Sequence, residues 1–152
     1  MLDRFLIGPA VEAVVEALRA APTGPIAVVG QPRLARKLGE RGVSVLAVGE
    51  PSDGRALRKL KAVPPAQARE DALPLGDRSL AALIGWGSGA RADWAEVLAE
   101  WSRAIADGGL LVMVDRGAPT ELSRRALCAG LAELQQRPAG RLVVTSGIVT
   151  DI

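Results

Sequence analysis

Apolar residues along this chain keep two different rhythms. Phe5, Leu6, Val11, Val14, Val15 and Leu18 recur at helical spacing, so residues 2–20 are predicted to form an amphipathic helix that Pro22 and Gly24 end. Ile26 to Val29 is instead an unbroken apolar run between turn residues, the pattern of a strand buried on both faces. The same alternation then repeats. A helix is expected from Arg33 to Arg41, stopped by Gly42, and a strand from Val43 to Val48. Pro51-Ser-Asp opens a short basic helix through Lys61 that Val63-Pro-Pro breaks. Gln67 to Glu70 is a weak third strand.

The second half continues the pattern. Asp77-Arg-Ser is a turn and Leu80 to Ile84 a strand. Gly85, Gly87 and Gly89 make a flexible loop around Trp86. Asp93 to Ala106 is a helix with Trp94, Val97, Leu98, Trp101 and Ile105 on one face, and Asp107-Gly-Gly is its stop. Leu110 to Val114 is an apolar strand and Pro119 to Leu134 a helix. Pro138-Ala-Gly140 is a hairpin turn before Leu142 to Thr145. Strands that alternate with helices and are apolar throughout imply an α/β three-layer sandwich. The sheet is mainly parallel and seven- or six-stranded, with a C-terminal antiparallel hairpin. Ligands of such sheets bind outside the carboxyl ends of the strands. Residues 1–152 are read as one domain, with the 1–21 helix packed on it.

Composition narrows the chemistry. The 152 residues contain no His and one Cys, Cys128. A conventional Ser-His-Asp triad for Ser88, Asp115 or Glu121 is therefore out of reach, as are a disulfide within the chain and a cysteine metal cluster. No metal is expected. No apolar run reaches membrane-spanning length, so no membrane partner is expected and the chain is read as cytoplasmic. Charge is segregated. Residues 33–69 hold nine Lys/Arg against three Asp/Glu, and residues 70–115 hold eight Asp/Glu against three Lys/Arg. Arg33, Arg36, Lys37, Arg41, Arg55, Arg58, Lys59 and Lys61 form either a solvated face or a surface for an acidic protein or nucleic acid.

The order of segments resembles the class I S-adenosylmethionine (SAM) methyltransferases. Asp71-Ala-Leu-Pro-Leu-Gly-Asp-Arg-Ser-Leu-Ala-Ala-Leu-Ile84 is similar to that family's approach to its fourth strand. Trp101-Ser-Arg-Ala-Ile-Ala-Asp-Gly-Gly-Leu-Leu-Val-Met-Val-Asp115 resembles its helix, Gly-Gly turn and fifth strand. Gln135 to Gly147 looks like its closing hairpin. The resemblance covers nearly the whole chain and implies SAM as cofactor, held at the strand ends.

The residues at those ends depart from the family's pattern. The resemblance implies a glycine-rich turn after the first strand, whose glycines let backbone N–H groups approach the methionine part of SAM. Here the turn is Val28-Val-Gly-Gln-Pro-Arg33, which keeps Gly30, puts Gln31 beside it and adds Pro32, which has no N–H. The acid implied at the end of strand two for the ribose hydroxyls is matched by Glu50, one position displaced. The acid implied near the adenine has Asp71 or Glu70 as candidates, while the best register puts Arg69 there. The position of a fourth acid is Ala81. Trp86 either stacks on an adenine or plugs a disused site. The expectation is a methyltransferase-like domain with a degraded SAM site, non-catalytic, serving as a protein-interaction or assembly module with a protein partner or a second copy. The alternatives are an active SAM-dependent methyltransferase with a divergent loop, using Asp115 or Glu50 as base, and an anion or nucleic-acid binding module. Trp94 and Trp101, seven apart on one face, are read as core, as is Cys128.

Overall fold

A computed structural model describes residues 2–49, 73–87, 89 and 91–150, with the backbone alone for residues 2–6. The elements run α1 (Leu2–Leu18), β1 (Ile26–Val29), α2 (Pro32–Glu40), β2 (Leu46–Val48), β3 (Leu80–Trp86), α3 (Trp94–Ala104), β4 (Ile105–Asp115), α4 (Pro119–Cys128), β5 (Ala132–Ala139) and β6 (Leu142–Ile148). Among the described residues the sheet has six strands in the order β2-β1-β3-β4-β6-β5. The first four are parallel, whereas β6 runs antiparallel to both β4 and β5. The strand expected at 67–70 and the basic helix expected at 51–61 lie outside the described residues.

The fully apolar strands are buried on both faces, and successive side chains go to opposite sides. Val28, Ala82, Ile84, Val112, Val114 and Val144 pack with Ile7, Val11 and Val14 of α1 and Leu34 and Leu38 of α2. Ala27, Val29, Leu83, Leu111 and Met113 pack on the other side with Val97, Leu98 and Trp101 of α3 and Ala126 of α4. These two clusters are the reason for three layers, and each buried Leu, Ile or Val contributes about 1.5–3 kcal/mol. Trp101 is fully buried. It lies against the backbone of Gly85, where any Cβ would overlap its ring.

Three local expectations are corrected. The helix expected to reach Leu134 ends at Cys128, with Gly130 at φ +88° just beyond it. Residues 132–139 form β5 because β6 offers them a pairing edge. Asp107-Gly-Gly is not a helix stop followed by a strand, since the chain passes directly from α3 into β4. Leu80 faces Ile105 while Ala82 already faces Leu110, so 106–109 bulge out of the ladder. Gly108, at φ +82°, and Gly109 exchange backbone hydrogen bonds with Val149 there. Finally, Gly85 and Trp86 belong to β3 and not to a flexible loop, because Val29, Met113 and Val114 pair with them.

Candidate functional site

The chain steps from β1 outward to β2 and returns on the other side of β1 for β3 and β4. The carboxyl ends of β1 and β3 therefore flank a topological switch point, where a crevice opens in sheets of this type. Gly30 and Gln31 follow β1, Gly49 follows β2, Trp86 ends β3, and Asp115 ends β4.

The β1–α2 turn turns its hydrogen bonds inward. Gly30, at φ +85°, donates its N–H to Val48 O at 2.9 Å. Gln31 is 7% exposed, and its side-chain Oε1 accepts from Arg33 N–H at 3.4 Å, which caps α2. Leu34 and Ala35 donate to Gln31 O. Pro32 is buried at the first helical position, where its missing N–H costs nothing.

The β3–α3 connection is held from α4. Arg125 Nη1 donates to Gly89 O at 2.6 Å, its guanidinium lies 5.4 Å from the Trp94 ring centre, and its Nε donates to Glu121 at 3.2 Å. Hydrogen bonds from Arg124, and then from Arg125, hold the Glu121 carboxyl down to about 2. Asp115 is 1% exposed. A Cβ on Gly89 would stand 2.7 Å from its Oδ2, so the loop backbone lies directly against the carboxylate. Trp86 is half-buried against the α1–α2 cluster.

The structure brings Gly30, Gln31 and Trp86 to one edge of the sheet. Glu50, Glu70, Asp71 and Ser88 lie outside the described residues. Of the basic set, Arg33, Arg36, Lys37 and Arg41 are exposed on or beside α2, and Arg55, Arg58, Lys59 and Lys61 lie outside the described residues. Lys37 pairs with Glu40, and Arg41 reaches Glu12 of α1. Trp101 is core, whereas Trp94 is half-buried beneath Arg125. Cys128, expected inside, is exposed beside Leu127, because α4 turns the face that carries them to solvent. Among the described residues no group of acids and cysteines could hold a metal, and no helix is long and apolar enough to cross a membrane.

One cluster escaped the sequence reading. Glu100 and Arg103 of α3 grip the backbone of Leu73. Leu73 N–H donates to Glu100 Oε2 at 2.6 Å, and Leu73 O accepts from Arg103 Nη2 at 3.3 Å. The two side chains pair through Arg103 Nε at 2.6 Å and Nη2 at 2.9 Å, and Arg103 also reaches Asp77. The Arg103 hydrogen bonds hold the Glu100 carboxyl below its usual range, with the Leu73 amide adding to the effect. Their i,i+3 spacing was visible in the sequence, but the peptide they hold was not.

Among the described residues, two cavities lie elsewhere. One of about 380 Å³ lies between α2 and β2, lined by Ala35, Arg36, Val43 and Ser44 among others. Another of about 360 Å³ lies at the opposite edge of the sheet, by Asp77, Arg78, Ser102 and Asp107. None of Gly30, Gln31, Trp86 and Asp115 lines either one.

The strand order, with its switch point at β1, and the closing hairpin are those of the class I SAM-dependent methyltransferase fold. Particular solved structures carry the likeness. A SAM-dependent methyltransferase of Thermotoga maritima, described as a possible histamine N-methyltransferase, has a TM-score of 0.73 at 17% identity over 96% of this chain and 92% of its own. A chain from the complex of the Haloferax volcanii Trm112 methyltransferase activator with a methyltransferase scores 0.74 at 14% identity, over 98% and 94%. A geranyl diphosphate methyltransferase in complex with SAM scores 0.71 at 13% identity, over 93% and 84%. Identities this low speak for the fold alone. No family model matches the chain, and no curated protein matches its sequence.

Proposed function

We propose that residues 1–152 form one methyltransferase-like domain that no longer transfers methyl groups and acts, in the cytoplasm, as a protein-interaction or assembly module. The observation that carries this reading is the inward hydrogen bonding of the β1–α2 turn. The N–H groups of Gly30 and Arg33 have acceptors within the chain, and Pro32 has none to give. SAM brings a carboxylate, an ammonium, a sulfonium and two ribose hydroxyls. As built, this turn does not fit the methionine end of that molecule. A buried polar group left without a partner costs about 1–3 kcal/mol, so two or three such losses lower affinity by orders of magnitude. Support for a protein partner comes from the fold neighbour that was solved with the Trm112 activator. The segregated charge of the chain also favours pairing with a second copy, basic edge to acidic edge.

Isothermal titration of the full chain with SAM and with S-adenosylhomocysteine tests the reading. No measurable heat of binding is expected, and a dissociation constant in the micromolar range would overturn it. A second reading, an active methyltransferase with a divergent site, draws on the neighbours solved with SAM and S-adenosylhomocysteine and on the positive φ of Gly30. It requires that micromolar binding, with turnover sensitive to Gly30 and Glu50.

A further inference from the structure

We infer that the switch-point crevice is closed from within, with the Gln31 carboxamide standing at the N-terminus of α2 where an anionic ligand group would otherwise be taken. The inference rests on the non-catalytic reading and supplies its cause. α2 spans nine residues and has no acid in its first turn, while Arg33 is its second residue and Arg36 its fifth. Its N-terminal end is therefore electropositive and suited to an anion. Yet the polar side chain found there belongs to the protein. Gln31 is 7% exposed, although glutamine is a residue that solvent normally claims. Its Oε1 faces Arg33 N–H, and its backbone oxygen takes the next two amides.

Three further features hold the closure. Gly30 N–H is spent on Val48 O and ties the turn to β2. Pro32 removes a donor and fixes the backbone at the first helical position. Trp86, across the switch point at the end of β3, packs onto the α1–α2 cluster that contains Leu34 and Ala35. A ligand carboxylate would have to displace a buried side chain and compete for amides already bonded. Of these features, Gln31 and Pro32 are the two that substitution can remove while leaving the strands in place.

The test opens the turn. The full chain with Gln31→Gly and Pro32→Gly together is compared with the unaltered protein by titration calorimetry with S-adenosylhomocysteine and SAM. Thermal unfolding checks that the variant folds; glycine is a tolerated N-cap, so a folded protein is expected. The expected result is no binding by the unaltered chain and a gain of at least about tenfold in affinity by the variant, the equivalent of about 1.4 kcal/mol. A folded variant that still fails to bind overturns the closure and leaves the proposed function standing. Tight binding by the unaltered chain overturns both. Should the double variant not fold, Gln31→Ala decides by amide exchange. Arg33 N–H must exchange at least about tenfold faster than in the unaltered chain if the cap is real, and unchanged protection overturns the inference.

Discussion

Alanine at position 85 probes the packing directly beneath the crevice. Gly85 is paired on both sides, with Val29 of β1 and Met113 of β4. Glycine inside a strand is normally the weaker residue, so alanine alone would gain about 0.5–1 kcal/mol of backbone entropy. Here the added methyl would overlap the Trp101 ring. The ring has no room to swing, because Trp101 is 0% exposed within a cluster that includes Leu83, Val97, Leu98 and Met113. Overpacking of this kind costs about 1–3 kcal/mol and occasionally more. The clash outweighs the entropy, and Gly85→Ala should destabilise the domain by about 1–2 kcal/mol. Trp101→Leu removes the obstruction but leaves a void, costing about 2–4 kcal/mol. In the double variant the methyl occupies part of that void. The two changes together should therefore cost less than their sum by about 1–2 kcal/mol. Urea unfolding followed by far-ultraviolet circular dichroism measures all four proteins, since tryptophan fluorescence would change with the substitution itself. Additivity within about 0.5 kcal/mol, or a Gly85→Ala protein as stable as its parent, would show that the methyl and the Trp101 ring do not compete for one space.

Other consequences are as open to measurement. Glu100 has its carboxyl lowered by Arg103 in the folded state, so its contribution is complete above its ordinary value of 4.5 and is lost as the pH falls through the lower native value. Glu100→Gln should cost about 1 kcal/mol near neutrality, flatten the acid limb of stability against pH, and raise the exchange rate of Leu73 N–H. An unchanged acid limb would mean that the Glu100–Arg103 grip on Leu73 does not contribute to stability. A filter-binding assay with single-stranded and duplex nucleic acid, titrated with salt, tests the exposed Arg33, Arg36 and Lys37. The domain reading expects weak or absent retention, whereas tight binding with a steep salt slope that the triple alanine variant abolishes would favour nucleic acid.

The layer order of the domain was legible because burial writes itself into short windows. Ile26–Val29 matches its predicted limits, and Leu80 onward and Leu110 onward read as buried strands because both faces of a central parallel strand are apolar. The polar stretch Glu133-Leu-Gln-Gln-Arg137 carried no such mark. It became a strand at the sheet edge because β6 supplied a partner, and helical periodicity had extended α4 into it. At the site, the sequence singled out Gly30, Gln31 and Trp86 by their place after strands. It assigned Gln31 no role as a helix cap, since a cap is recognised by where its side-chain oxygen points.

The sequence alone determined the alternation of strand and helix, the apolar faces and the absence of histidine chemistry, because backbone periodicity and residue type are local properties. Tertiary structure decided which peptide each polar group serves. Glu100 finds Leu73 twenty-seven positions away, Gly30 finds Val48 across the sheet, and Gly85 is required by a ring on another element. Such pairings depend on chain closure over long separations, where a hydrogen-bond donor is satisfied by whatever the fold brings beside it.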